Sequence, residues 1–439
     1  MILSRNTTAG IYTLGCKVNQ YESEAIAEEL ENNGITVLSP SSVCDAYIIN
    51  TCTVTAESDR KARQFIRRAI AKNPCAFIIV TGCMAQTAKN DISAIEGVDA
   101  IIGNSNKLLA ARLLLDLLKK GSKNNAPEIY VDDIDSADFE PMSITKFDRT
   151  RAYVKIEDGC ENKCTYCIIP AARGKVRSKL PGDVISEVER LVSGGCKEIV
   201  LTGIETASYG KDLGYIDLGD LLCRIDQIPN IGRVRLGSLD PSLIKPDFAK
   251  KLASISCLTP HFHLSLQSGS DRILALMKRK YNASMAMRAI DCLREAIPNV
   301  KFTTDVIVGF PGETDQDFEY TRKFIEQAQF LNVHIFPYSK RKGTPAASMG
   351  NQIASDVKRT RLHSLEETVN ESTNKILENE LRQRPIRQVL FETFDGSKAY
   401  GHTDDFLEVA VPSKKPLHSQ ICSVKLLSIN EKICLGEII

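Results

Sequence analysis

The chain predicts an α/β protein in three parts: an N-terminal parallel α/β sheet, a central partial (β/α)6 barrel and a small all-β barrel at the C-terminus. Three patterns carry this. Short apolar strands alternate with periodic helical stretches through the first part of the chain. The alternation resumes from Arg151 with longer repeats, and from about Arg384 only short strands broken by turn residues remain.

In the first part, IYTLG leads into the helical YESEAIAEELENN and then ITVLS. AYIINT leads into AESDRKARQFIRRAIAKN, and AFIIVTG follows. Alternation on this scale needs crossover helices between parallel strands. After LLAARLLLDLLKK the pattern fades into GSKNNAPEIYVDDIDSADFEP, a connector with room for one strand. The first domain therefore spans 1–140. AYVKIE, KEIVLTG, RVRLGS, HFHLSL, KFTTDVIVG and VHIFPYS are the strands of the second, 141–373, interspersed with helices such as GDVISEVERLVSGG. Chemistry in such a barrel belongs at the C-terminal strand ends. The third domain, 374–439, holds QVLFETF, AYGHT, FLEVAVPS, ICSVKLLSIN and ICLGEII, the strands of a small barrel.

Composition narrows the function. A 43% hydrophobic, 25% charged chain with net charge +1 is globular, and any nucleic-acid contact must come from local basic patches. No apolar run reaches membrane-spanning length, and MILSRNTTAG has no secretion-signal core, which predicts a cytoplasmic protein without membrane contact. In a reducing compartment, clustered cysteines indicate metal or redox chemistry, while scattered ones serve as small hydrophobes.

Six of the 14 cysteines are clustered or in matching register. DGCENKCTYCIIP (Asp158 to Pro170) holds Cys160, Cys164 and Cys167 as CxxxCxxC, directly after the strand AYVKIE. Zinc favours four ligands and paired knuckles, whereas iron–sulfur clusters take thiolates at close loop spacing. A zinc site completed by a distant His is the alternative. Cys16, Cys52 and Cys83 each lie one step beyond a predicted parallel strand, at the sheet edge where ligands bind. They predict a second three-thiolate site; three unrelated buried cysteines are the alternative. Cys44, Cys75, Cys196, Cys223, Cys257, Cys292, Cys422 and Cys434 have no ligand spacing and read as core.

The CxxxCxxC loop, with Tyr166 before its last cysteine, resembles that of radical S-adenosylmethionine enzymes. With a second cysteine triad ahead of it and a small β domain behind, the whole chain resembles the methylthiotransferase family. TLGCKVNQYES (Thr13 to Ser23) is similar to the branch acting on threonylcarbamoyladenosine in tRNA; the isopentenyladenosine branch reads GCQMN and the ribosomal-protein aspartate branch GCPKN. INTCTVT (Ile49 to Thr55) and VTGCMAQ (Val80 to Gln86) fit the family generally.

The resemblance implies two [4Fe–4S] clusters, on Cys160/Cys164/Cys167 and on an auxiliary site of Cys16/Cys52/Cys83. S-adenosylmethionine would serve as radical source and methyl donor, and an external electron donor is needed. The reaction implied is methylthiolation at C2 of a modified adenosine beside the anticodon. Tyr166, Gly203, Glu205, Ser265, Gln267 and Asp305 are the candidate cofactor contacts. Thr202-Gly203-Ile204-Glu205 stands where related enzymes carry a GGE-like turn, and Ser265 and Gln267 share a strand face with His263. His261 and His263 read as structural. The last domain resembles the TRAM module, so Arg382, Arg384 and Arg387 are candidate contacts to the anticodon loop, with Phe391, Phe394 and Tyr400 as stacking faces. Lys278 and Lys280, which flank Arg279, and Lys340 and Arg341 are candidate phosphate contacts.

Overall fold

Runs of Ile, Val and Ala too apolar to face water on either side make up the central N-terminal strands, and they are buried throughout. The computed structural model describes residues 7–123, 125–147 and 149–439. Among these, six parallel strands form one sheet in the order Thr36–Leu38, Thr8–Thr13, Ala46–Thr51, Phe77–Gly82, Ala100–Ile102, Glu128–Tyr130. The connector strand is Glu128–Tyr130. Ala100–Ile102, only three residues long, is too short to have a readable period.

The central region is a six-stranded parallel layer whose strands follow chain order from Arg151–Lys155 to Asn332–Pro337. The ladder breaks at Gly237, where a Cβ would stand 2.7 Å from the Thr206 hydroxyl, and a single bridge from Val234 to Leu258 continues across the gap. Among the described residues no ladder joins the first and last strands, so the barrel is open on one side. The helix Lys17–Asn32 packs there. Ile26 and Leu30 face its own sheet, while Tyr21 and Ala25 enter the barrel's core. Between the two layers the helix also buries Asn19 and Glu22, while Glu29 and Glu31 near its end stay exposed.

The long helix Ser355–Gln383 runs through residue 374 without a break, because nothing before Pro385 interrupts it. The third domain thus begins at Ile386–Phe394, not at 374. Its five strands close into a barrel in the order Ile386–Phe394, Lys398–Thr403, Glu408–Pro412, Ile433–Ile438, Ile421–Asn430. It docks on the N-terminal ends of the central strands, opposite the end bearing Cys160. Arg151 holds Glu392 through two bonds of 2.7 and 2.8 Å, and Arg235 reaches the Asp404 carbonyl at 3.0 Å.

Candidate active site

Cys16, Cys52 and Cys83 follow three neighbouring strands of the first sheet, whose ends are in register: Thr13 pairs with Asn50, and Thr51 with Gly82. Each chain therefore delivers its cysteine to one edge. Gly15 is in a positive-φ conformation, and a Cβ on it would lie 2.7 Å from the Cβ of Cys52. Only glycine lets the two loops approach this closely. Burial, with the neighbouring Cys83 and Cys16, pushes the Cys52 thiol up to about 11. Burial also raises Cys16, against the pull of Arg173.

In the second triad, burial pushes Cys160 up to about 12, with Glu205, Cys167 and Cys164 adding to it, and Cys167 up to about 11, with Cys164 adding to it. The loop is fixed by backbone bonds from Cys160 N to the Gly174 carbonyl (2.9 Å) and from Thr165 N to the Met277 carbonyl (3.1 Å). Thiols held this far up need a positive partner to become ligands. Each triad has one. The Arg173 Nε donates to the Cys83 sulfur at 3.3 Å, and an Arg279 terminal nitrogen donates to the Cys164 sulfur at 3.2 Å.

Arg173 ends the short helix Ile169–Arg173 that follows the second triad and is wholly buried. It also donates to Asn19 (2.6 Å), Asp158 (3.0 Å) and both oxygens of Glu22. Lys107 and Lys155 complete the cage around Glu22, whose carboxyl is held well below the usual range by these three cations despite its burial. Asp158, two residues before Cys160, is held at about 2, its burial outweighed by Arg173 and Lys155. One buried charge network thus joins the two cysteine sites.

The donor sets fit iron–sulfur clusters. A tetrahedral zinc with Zn–S of about 2.3 Å would draw its sulfurs to within about 4 Å of each other. Among the described residues neither triad gathers its three sulfurs within 4.8 Å. A polynuclear cluster spaces its thiolates more widely than a single zinc ion does.

A family profile described as the Radical SAM superfamily matches residues 154–325, and one described as uncharacterized protein family UPF0004 matches residues 8–103. The threonylcarbamoyladenosine tRNA methylthiotransferase of Bacillus subtilis is 39% identical over 96% of this chain and 94% of its own length. That of Thermotoga maritima is 42% identical over 82% of this chain and 81% of its own. The chain belongs to the methylthiotransferase family of the radical S-adenosylmethionine superfamily. A tRNA-2-methylthio-N(6)-dimethylallyladenosine synthase of Clostridium botulinum is 34% identical over 97% of this chain and 96% of its own length. Among solved structures, the radical S-adenosylmethionine methyltransferase TsrM of Kitasatospora setae is similar in fold, with a TM-score of 0.57 at 15% identity over 78% of this chain and 77% of that one. Iron–sulfur and S-adenosylmethionine chemistry belong to this superfamily.

For this methylthiotransferase, the other residues singled out in the sequence fall into two groups. Tyr166 packs beside Phe310 and Tyr338, under the second triad. Gly203 is where Glu157 passes, since a Cβ would stand 2.6 Å from its Oε2. Glu157 is fully buried, is pushed well above the carboxylate range by that burial, and has one oxygen without a partner. Glu205 accepts from Asn162 at 3.0 Å and is pushed up to about 7 by burial and by Asp240. His263, Ser265 and Gln267 line the barrel lumen, while Phe262, Leu264 and Leu266 face outward into the core. Asp305 lies 3.2 Å from His263. His261 is structural, stacked on Phe406.

The basic candidates divide sharply. Lys278, Lys280, Lys340 and Arg382 are exposed. Arg387 is buried and spent on Glu380, Asp404 and Asp405, and Arg384 bonds Glu380 and Asp405. Arg341 clamps the barrel to the first domain through Asp59 and Thr53, both at 2.6 Å. These three guanidiniums hold the fold together and are withdrawn as phosphate contacts. Phe391 is core, and Cys75, read as core, is exposed in the turn before Phe77. Sequence reasoning missed Arg173, Glu22 and Lys155. Their one signal was the placing of charges inside otherwise apolar strand and helix faces.

Proposed function

We propose that this chain methylthiolates C2 of N6-threonylcarbamoyladenosine beside the tRNA anticodon, using two [4Fe–4S] clusters, one on each cysteine triad. The observation that carries this is the Arg173 network, which ties the sulfur of Cys83 to Asp158 at the root of the second triad. Two thiolate sites sharing one rigid buried scaffold suit a reaction in which hydrogen removal and sulfur insertion must occur at one carbon. The KVNQYES stretch and the names of the relatives support the threonylcarbamoyl substrate.

Such clusters, with S-adenosylmethionine bound at one of them, supply the one-electron chemistry needed to break an unactivated C–H bond. The chain's own residues supply the rest. Arg173 and Arg279 donate hydrogen bonds to the sulfurs of Cys83 and Cys164 and fix their positions as ligands. Glu205, Ser265 and Gln267 present polar groups toward the lumen for S-adenosylmethionine, Asp305 is engaged by His263 instead, and Tyr166 walls the site. Exposed Lys278, Lys280, Lys340 and Arg382 offer charge to tRNA phosphates. The adenosine must leave the anticodon stack to reach the carbon-level chemistry. The enzyme works in the cytoplasm, where tRNA and a low-potential electron donor are at hand; no helix among the described residues is long and apolar enough to cross a membrane.

The test is mass spectrometry of digested tRNA nucleosides after anaerobic reaction with S-adenosylmethionine and reductant. The expected product is threonylcarbamoyladenosine gaining one methylthio group, lost in Cys16→Ala and in Cys164→Ala. Modification of a dimethylallyl nucleoside instead would overturn the substrate assignment.

A further inference from the structure

Lys17 is the residue next to Cys16, and its side chain leads from the first cysteine site into the open barrel. It is accessible to solvent yet ringed by protein, within electrostatic reach of Arg235, Arg151, Glu198 and Asp305. His261 and His334 feel its charge in turn. The buried lysines Lys107, Lys155 and Lys179 each hold a carboxylate. Lys17 holds none: among the described residues no hydrogen bond or ion pair engages its ammonium. The two anions near it are already committed, Glu198 to Arg151 and Arg235 (2.6 and 2.7 Å) and Asp305 to His263 (3.2 Å).

Beside it, His263, Asp305 and His334 bring their polar atoms within 4.8 Å of one another on three adjacent strands. Thr303 fixes the His263 ring through Nδ1 at 2.9 Å. An unpaired ammonium at the wall of an open lumen is a ready partner for an anionic ligand, whose carboxylate would accept a charge-assisted hydrogen bond from it. Nearby cations also make this lumen a poor home for a divalent metal and a good one for an anion with hydroxyl and amide groups. A hydrocarbon tail, such as that named for the Clostridium botulinum relative, would leave the Lys17 ammonium without an anionic partner.

We infer that the lumen is the pocket for the polar acyl tail of the substrate nucleoside, with Lys17 taking its carboxylate and the His263–Asp305–His334 group its hydroxyl. This rests on the proposed function. Lys17 is then a specificity residue of this chain, reading the end of the substrate farthest from the reacting carbon.

The test uses reconstituted holoenzyme and two anticodon stem–loops, one with the threonylcarbamoyl tail and one with that tail as its primary carboxamide. Binding is read by fluorescence anisotropy with S-adenosylmethionine but no reductant, and product by nucleoside mass spectrometry once reductant is added. Wild type is expected to bind the carboxylate form roughly 10- to 100-fold more tightly, the worth of one charged hydrogen-bonded contact. Lys17→Gln should narrow that gap to a few-fold, and Lys17→Arg should retain it. Equal binding of the two stem–loops by wild type overturns the inference without recourse to any variant. If both are methylthiolated equally well, the inference fails while the proposed function stands. If neither is modified but a dimethylallyl stem–loop is, both fail together. One divalent ion per chain, retained through desalting and lost in His334→Ala, would assign the three-residue group to a metal and overturn its role toward the hydroxyl.

Discussion

Arg173 donates its Nε to the sulfur of Cys83 while the same guanidinium binds both oxygens of Glu22. Removing it strands a fully buried carboxylate with only its two lysines, and removes the cation nearest one thiolate. Breaking a buried ion pair from one side costs about 3–5 kcal/mol. Arg173→Met should therefore lose roughly that much stability in urea unfolding, and its iron content after reconstitution should drop toward half. Arg173→Lys should rescue neither, since an ammonium cannot reproduce the forked contacts. A stable Arg173→Met protein with full iron would show that the network is incidental.

Glu198 makes acid sensitivity predictable. It lies fully buried between Arg151 and Arg235 at the junction of the central and C-terminal barrels. These arginines outweigh burial and bring its carboxyl from 4.5 to about 2. The folded state thus binds the proton more weakly than the unfolded state. Its stabilisation is complete above the unfolded value and is lost as pH falls from about 4.5 toward about 2, with a total of roughly 3 kcal/mol. Asp158 adds a slope in the same direction, so the comparison is with Glu198→Gln. Stability measured from pH 5 to 3 should fall more steeply in wild type than in this variant; parallel curves would rule out Glu198 as the source.

Cys160, Cys164 and Cys167 were legible because their spacing is local, and Cys16, Cys52 and Cys83 because strand ends in a parallel sheet share an edge. Arg173 and Glu22 were not: they lie 151 residues apart, and nothing in either segment specifies the other. Arg387 misled for the opposite reason. A basic cluster looks the same in sequence whether it faces phosphate or, as here, Asp404 and Asp405. The boundary expected between residues 373 and 374 falls inside the helix Ser355–Gln383, because a polar helix carries no mark of the domain to which it belongs.

Arg279 and its two neighbours separate chemistry from RNA binding within three residues. Arg279 binds the Cys164 sulfur, Asp240 (2.7 Å), the Ser265 carbonyl (3.0 Å) and the Tyr281 hydroxyl (3.1 Å). Lys278 and Lys280 stand exposed on either side. Arg279→Gln should slow reductive cleavage of S-adenosylmethionine roughly 10- to 100-fold, as expected for a lost charged hydrogen bond, with tRNA affinity retained. Lys278→Ala with Lys280→Ala should do the reverse. Tight binding weakens, and the slope of log affinity against log salt drops by about 0.7–0.9 for each phosphate contact removed. An unchanged salt slope in the double variant would take these lysines off the RNA path.

Phe406 is held at φ +76°, an unfavourable conformation for a bulky side chain, and its ring is stacked on two sides. His261 of the central barrel lies 4.5 Å from it and His402 of its own domain 4.6 Å, with the Arg235 guanidinium 4.7 Å from the ring centre. The strain is sustained because the ring plugs the floor of the open barrel, between the arginines that clamp the two domains. Burial and stacking of a phenylalanine are worth about 3 kcal/mol when truncated to alanine. Phe406→Ala should loosen the C-terminal barrel without unfolding it, because its own core of Val389, Phe391, Val409 and Val424 stays intact. Calorimetry should then resolve a separate, lower transition, and limited proteolysis should cut near Pro385, releasing a fragment that begins at the barrel. A single transition at the wild-type temperature would mean that the arginine pairs alone hold the domains together, and that the strained Phe406 has no part in the docking.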